Sequence, residues 1–165
     1  MDAKTLITGG LGFIGSNYID YILKTKPLEN ILVLDKNTYA ADFDTLKRWE
    51  GNPRLTFTEG DICDAQLLSQ IFQENNILGV VHFAAESHVD NSISGPQAFV
   101  DTNIMGTFQL LEAARKTWLD VNQSKKEGYE NARFHHISTD EVYGALGSKG
   151  AFTEKTAYAP NSPYS

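Results

Sequence analysis

A single cysteine, Cys63, stands in 165 residues, so no internal disulfide can form. Disulfides belong to oxidising compartments, and without one a reducing cytoplasm is the simplest expectation. Cys63 itself is expected as a small core residue rather than a reactive thiol. Long apolar runs are missing too: none approaches the ~18 residues that cross a bilayer. The N-terminus has no basic segment leading into an uninterrupted apolar stretch, so no signal peptide is expected. Positive charge is scarce, with 14 Lys and Arg against 21 Asp and Glu and a net charge of −7. Phosphate backbones ask for a basic face, so nucleic acid is not an expected partner, although a nucleotide held by helix N-termini is not excluded. Internal repeats, low-complexity tracts and a linker to a second domain are all absent. The chain therefore reads as one domain of ordinary globular composition, 41% hydrophobic and 21% charged.

What is present begins with glycine. Thr8-Gly9-Gly10-Leu11-Gly12-Phe13-Ile14-Gly15-Ser16 follows the apolar pair Leu6-Ile7 and precedes an apolar helical pattern. That order is strand, glycine turn, helix N-terminus. Gly9 suits a tight turn, Gly12 lets backbone approach a pyrophosphate, and Gly15 lets the helix pack close to the strand. The helix start offers unpaired N–H groups and the positive end of its dipole. Ile31-Leu32-Val33-Leu34-Asp35 reads as a second strand ending in an acid, 20 residues past Gly15. An acid there accepts from both adenosine ribose hydroxyls and repels a 2′-phosphate, which implies NAD rather than NADP. The plainer alternative is an ordinary βαβ turn with a solvated Asp.

The rest alternates between strand and helix. Strands are expected at Lys4–Thr8, within 28–35, and at Arg54–Glu59, Ile77–Phe83 and Phe134–Ser138. Helices are expected at Phe13–Lys24, Tyr39–Trp49, after an Asp64 N-cap, and at Gln97–Trp118 with Val100, Ile104, Phe108 and Leu111 on one face. Residues 139–165 show no helical period. The expected class is α/β: a doubly wound parallel sheet of the Rossmann type, with ligands at the carboxyl ends of its strands.

Polar clusters collect at those ends. Asp61 and Ile62 follow the third strand, where the acid would accept from an adenine amino group and the isoleucine pack on the ring; a helix-flanking acid is the alternative. Ala84 and Ala85 follow the fourth strand and leave room for the middle of a dinucleotide. Glu86, His88 and Asp90 either line a sugar pocket or cap and solvate the next helix. Asn103 reads as a buried polar structural residue. His82, His135 and His136 have no partner at metal-ligand spacing and are expected as satisfied core histidines, with no metal. Asp140-Glu141, after the fifth strand, is a carboxylate pair whose pKa values a partly dry site would push apart; a solvated loop pair is the alternative.

With these stretches assembled, and with Thr38-Tyr39-Ala40, Thr102-Asn103 and Tyr158–Ser165, the chain resembles the N-terminal part of the nucleoside-diphosphate-glucose 4,6-dehydratases. These belong to the extended short-chain dehydrogenase/reductase superfamily, and the likeness is nearest to members acting on dTDP-glucose. The resemblance implies NAD contacts from Gly9, Gly12, Phe13, Ile14, Gly15, Asp35, Lys36, Thr38, Asp61, Ile62, Ala84, Ala85, Ser87 and Thr102. It implies sugar-nucleotide contacts from Ser87, His88 and Thr139. It also implies catalysis by Tyr164 as proton acceptor at the sugar 4-hydroxyl, Thr139 bonded there, Glu141 as base at C5 and Asp140 as acid at the departing 6-hydroxyl. A homodimer formed through the long helix follows from the resemblance alone.

Two departures stand out. The family carries a lysine four residues after the tyrosine, beyond Ser165, and commonly a glycine where this chain has Ala41. The expectation is therefore a cofactor domain over 1–165 without its substrate domain, with Tyr164 frayed and with little or no turnover by the chain alone. The alternatives are an NAD-dependent epimerase or decarboxylase, against which Asp140-Glu141 argues, and a stand-alone NAD-binding module.

Overall fold

A computed structural model describes residues 2–36 and 38–165. Five strands form one sheet: β1 (Ala3–Thr8), β2 (Asn30–Asp35), β3 (Leu55–Glu59), β4 (Asn76–His82) and β5 (Arg133–His136). The order is β3-β2-β1-β4-β5, with every pair parallel. The chain runs outward from β1 in one direction and then resumes beside it in the other. That reversal opens a crevice at the carboxyl ends of β1 and β4.

The central strands β1 and β2 are buried on both faces, which is why Leu6-Ile7 and Leu32-Val33 are apolar without alternation, whereas the edge strands β3 and β5 stay partly exposed. Leu6, Leu32, Leu34 and Val80 face one layer with Leu68, Phe72, Leu110 and Trp118. Ile7, Ile31, Val33 and Val81 face the other with Ile19, Ile22 and Trp49. Burying each such Leu, Ile or Val contributes about 1.5–3 kcal/mol.

Helices supply the outer layers. α1 (Phe13–Thr25) covers the second face. The Asp64 carboxylate accepts from the N–H groups of Gln66 and Leu67 and so starts α3 (Ala65–Glu74), as its N-cap position predicts. Observed ends fall within two residues of the expected ones except at Tyr39–Trp49. There the helix is cut to a 3₁₀ turn at Phe43–Thr45 running into α2 (Leu46–Trp49). The cause is Asp42, whose side chain caps the Asp44 N–H and whose own N–H donates to Leu11 O. The apolar spacing still lands inward, with Phe43 and Leu46 packed beside buried Trp49.

After α4 (Val89–Ser94), one helical run comprises α5 (Pro96–Phe99), a π-helical stretch Val100–Gly106 and α6 (Thr107–Trp118). Its core side is Phe99, Gly106, Leu110, Ala114 and Trp118. Val100, Ile104, Phe108 and Leu111 are exposed instead, with Met105 and Ile93 nearby. No helix among the described residues is long and apolar enough to cross a membrane.

Residues 139–165 are irregular but packed. A 3₁₀ turn spans Asp140–Tyr143, and Tyr143 sits against both Phe152 and Tyr158. Ala159 N–H returns to Val142 O at 3.0 Å.

Candidate functional site

The crevice between the two halves of the sheet holds a cavity of about 420 Å³. Its floor is the glycine turn. Gly9 has φ +70°, and a Cβ there would strike the Ala84 backbone at 2.5 Å. A Cβ on Gly15 would lie 2.2 Å from Gly9 O, so the first turn of α1 can press against the β1 loop only with glycine at that position. Gly12 differs: its nearest neighbour would be Gly9 O at 3.4 Å, so open space lies beyond it. As N-cap of α1 it has no side chain to bond the helix's first N–H groups. Those groups and the helix dipole face the cavity as an anion cradle. Gly10 is tight as well, blocked by Val33 and Ile19, a packing demand that the motif spacing does not reveal.

Asp35 ends β2 at 9% exposure. Its Oδ2 accepts from Leu11 N–H at 2.6 Å and its Oδ1 from Lys36 N–H at 2.7 Å. Burial raises its pKa, and the two N–H bonds oppose that rise. The carboxylate is thus fixed to the glycine loop and retains lone pairs toward the cavity. Lys36 Nζ meets Asp61 Oδ2 at 2.7 Å, joining the ends of β2 and β3. Asp61 Oδ1 also accepts from Cys63 N–H. Desolvation pushes Asp61 up, but Lys36 and the Cys63 bonds outweigh it and hold the carboxyl below its ordinary value.

Beyond β4, Asn103 in the π-helical stretch bonds both backbone groups of Glu86. Tyr39 OH donates to Glu86 Oε2 at 3.3 Å across the cavity mouth. Beneath lies His82, 1% exposed, between Thr8 Oγ1 at 2.7 Å and Thr107 Oγ1 at 2.9 Å. Burial, aided by His136, pushes His82 down to about 4, so it is a neutral and satisfied core residue, whereas His135 and His136 are exposed rather than core because β5 is an edge strand. Among the described residues no three His, Cys, Asp or Glu side chains are grouped to hold a metal.

The cavity brings together Gly9, Gly12, Phe13, Ile14, Gly15, Asp35, Lys36, Thr38, Asp61, Ile62, Ala84, Ala85, Ser87, Thr102 and Tyr164. It also includes Tyr39, Glu86, Ile137 and Ser138. Of these, Glu86 was legible only as one member of an ambiguous acidic cluster, and Ile137-Ser138 only as the end of a strand.

Four expected residues lie outside the cavity. His88 is exposed at the N-cap of α4, and that helix uses its carbonyl rather than its imidazole. Thr139, Asp140 and Glu141 follow directly on Ser138 in the 3₁₀ turn, where Thr139 Oγ1 caps the Glu141 N–H. Both carboxylates are exposed, so the partly dry setting expected for them is not found among the described residues.

Tyr164 departs from the expected fraying in the opposite sense. It is half-buried, with its ring edge-on to Phe99 at 6.3 Å. Ser162 and Ser165 bond each other's N–H reciprocally around Pro163-Tyr164, the geometry of a helix-initiating capping box. Cys63 is half-exposed rather than core, and desolvation with Asp61 pushes its thiol up to about 11.

The family model for GDP-mannose 4,6-dehydratase matches residues 6–165. The chain belongs to that family. It is 50% identical to the dTDP-glucose 4,6-dehydratase of Haemophilus influenzae, over 97% of this chain and 46% of that protein. The dTDP-glucose 4,6-dehydratase of Streptomyces venezuelae, solved with NAD bound, superposes with a TM-score of 0.83 at 41% identity, over 98% of this chain and 47% of that one. The UDP-glucose 4-epimerase of Thermotoga maritima superposes at 0.78 with 28% identity, over 98% and 46%. The chain spans about half the length of the curated relatives it matches. The same fold thus superposes on both a dehydratase and an epimerase, so the fold by itself does not separate the two activities.

Proposed function

We propose that this chain is the NAD-binding part of a dTDP-glucose 4,6-dehydratase. The observation that carries the reading is one cleft holding the open Gly12 cradle, the fixed Asp35 carboxylate and Tyr164 together. The group fits: the space above Gly12 suits a pyrophosphate, and the spare lone pairs of Asp35 suit the adenosine ribose hydroxyls. Phe13, Ile14 and Gly15 would hold the phosphates through backbone N–H groups, and Lys36, Thr38, Asp61 and Ile62 the adenosine end. Ala84, Ala85, Ser87 and Thr102 would line the path toward the nicotinamide.

NAD, when bound, supplies the hydride acceptor for sugar C4 and the hydride donor for C6. The chain's own residues handle the protons. Tyr164 takes the proton of the 4-hydroxyl, with Thr139 bonded at the same position. Glu141 removes the C5 proton once C4 is a ketone, Asp140 protonates the departing 6-hydroxyl, which leaves as water, and Glu141 returns a proton to C5 as C6 takes the hydride. Ser138 lines the cleft and these three residues follow it, so the chemistry lies at its rim. Ser87 and His88 would meet the sugar nucleotide. The product is a 4-keto-6-deoxy sugar.

The 165 residues are read as one cytoplasmic cofactor domain, with the sugar-nucleotide domain lying outside them. The chain alone is expected to turn over little or no substrate. In the complete protein the exposed Ile104, Met105, Phe108 and Leu111 face is read as a homodimer contact.

The test is Glu141→Gln in the complete protein offered dTDP-glucose. Loss of turnover by about 10²–10⁴-fold is expected. Intact turnover would reject dehydration in favour of an epimerase, which needs no base at C5.

A further inference from the structure

The cleft has more carboxylates than cations along its lining. Asp35 at the end of β2, Asp61 beyond β3 and Glu86 beyond β4 all line the cavity. Lys36 is the one cation among the described residues that line it. Lys36 directly follows the acid placed to meet the ribose, the neighbourhood where a basic side chain would receive a 2′-phosphate. Its ammonium is turned away from that task, held at 2.7 Å on Asp61 Oδ2. The backbone at this point is fixed, because Lys36 N–H donates to Asp35 Oδ1.

We propose that Asp61 is a specificity-determining residue: by holding the Lys36 ammonium it withholds the cleft's one cation from a 2′-phosphate and excludes phosphorylated dinucleotide. The proposal rests on the NAD reading of the same cleft and goes past it. Asp35 alone disfavours a 2′-phosphate by repulsion, but a free lysine one residue away would offset that repulsion. With Lys36 engaged by Asp61, the carboxylates of Asp35 and Asp61 stand at the adenosine end and, among the described residues, no uncommitted cation lines the cleft. Selectivity therefore comes from a second acid acting through a lysine, as well as from the acid at the strand end.

Isothermal titration of NAD and NADP into the complete protein tests this. The readout is the ratio of the two dissociation constants, in which any contact to adenine cancels because both ligands carry it. Asp61→Asn keeps an acceptor for Cys63 N–H and frees the lysine; the preference for NAD is expected to fall about tenfold, chiefly through tighter NADP binding. Asp61→Ser guards against a folding defect in the first variant and is expected to shift the ratio the same way. Adding Lys36→Met to Asp61→Asn should restore the original preference, and Lys36→Met alone, which leaves the Asp61 carboxylate unneutralised, should not lower it. The proposal is overturned if Asp61→Asn leaves the ratio unaltered. It is overturned equally if the lowered preference survives the loss of Lys36, since the carboxylate then acts directly. Failure of the unmutated protein to bind NAD would overturn the cofactor reading first, and this proposal with it.

Discussion

Asn103 grips Glu86 by both of its backbone groups: Oδ1 accepts the Glu86 N–H and Nδ2 donates to the Glu86 carbonyl, each at 2.8 Å. Glu86 lies in the loop after β4, and Asn103 lies in a helix on the same side of the cleft. One side chain thus supplies the loop with the backbone pairing that a continued β-ladder would have given it. Asn103→Leu leaves two half-buried backbone groups without their partner. A loss of about 1–3 kcal/mol in stability is expected, together with weaker NAD binding as the Ala84–Ser87 loop relaxes. Urea unfolding and NAD titration of the variant check both.

Gly12 and Gly15 should separate folding from binding. A methyl on Gly15 meets Gly9 O at 2.2 Å, and one on Gly12 meets nothing closer than 3.4 Å. Gly15→Ala is expected to cost about 1–3 kcal/mol of stability by overpacking. Gly12→Ala should leave the unfolding midpoint nearly unchanged while weakening NAD, because the methyl occupies the space read as the pyrophosphate site. Paired denaturation and titration curves distinguish the two.

Stability should fall on the acid side through His82. Its native pKa lies at about 4, below the ordinary value of 6.5. Between those values the unfolded chain binds the proton and the native protein does not, so stability declines as pH falls from about 6.5 to 4 and is level with respect to this group above. The group contributes about 3 kcal/mol across that window. His82→Gln should be less stable near neutrality, because it disturbs the bridge from Thr8 to Thr107, and should lose part of the acid slope. Unfolding free energies measured from pH 4 to 8 for both proteins test this.

The exposed apolar face of the long helix makes its own prediction. Phe108 and Ile104 are 51% and 61% exposed. If the face is a contact between copies, Phe108→Glu converts the complete protein to monomer, with its own fold intact. Sedimentation across a range of concentrations reads this directly, and an unchanged dimer would place the contact elsewhere.

The central strands were legible because they are buried on both faces and read as short apolar runs with glycine or polar punctuation, and the edge strand β3 because its residues alternate. The glycine turn and Asp35 were legible because a phosphate cradle and a ribose acceptor demand particular residue types at particular spacing. Three features were not. The π-helical stretch at Val100–Gly106 breaks the 3.6-residue period that identifies a helix, so the buried and exposed faces of that run cannot be assigned by spacing. The shortened helix at Tyr39–Trp49 depends on a tertiary bond from Asp42 N–H to Leu11 O. The Lys36–Asp61 pair joins side chains 25 residues apart, and the grip of Asn103 on Glu86 spans 17. Neither has a local signature.

The proposed dehydration moves hydride from sugar C4 to C6. The most direct measurement supplies the complete protein with dTDP-glucose deuterated at C4 and locates the label in the product. Deuterium is expected at C6 of a 4-keto-6-deoxy sugar. Deuterium retained at C4 of an intact hexose would contradict it and identify an epimerase, leaving Asp140 and Glu141 without a chemical role.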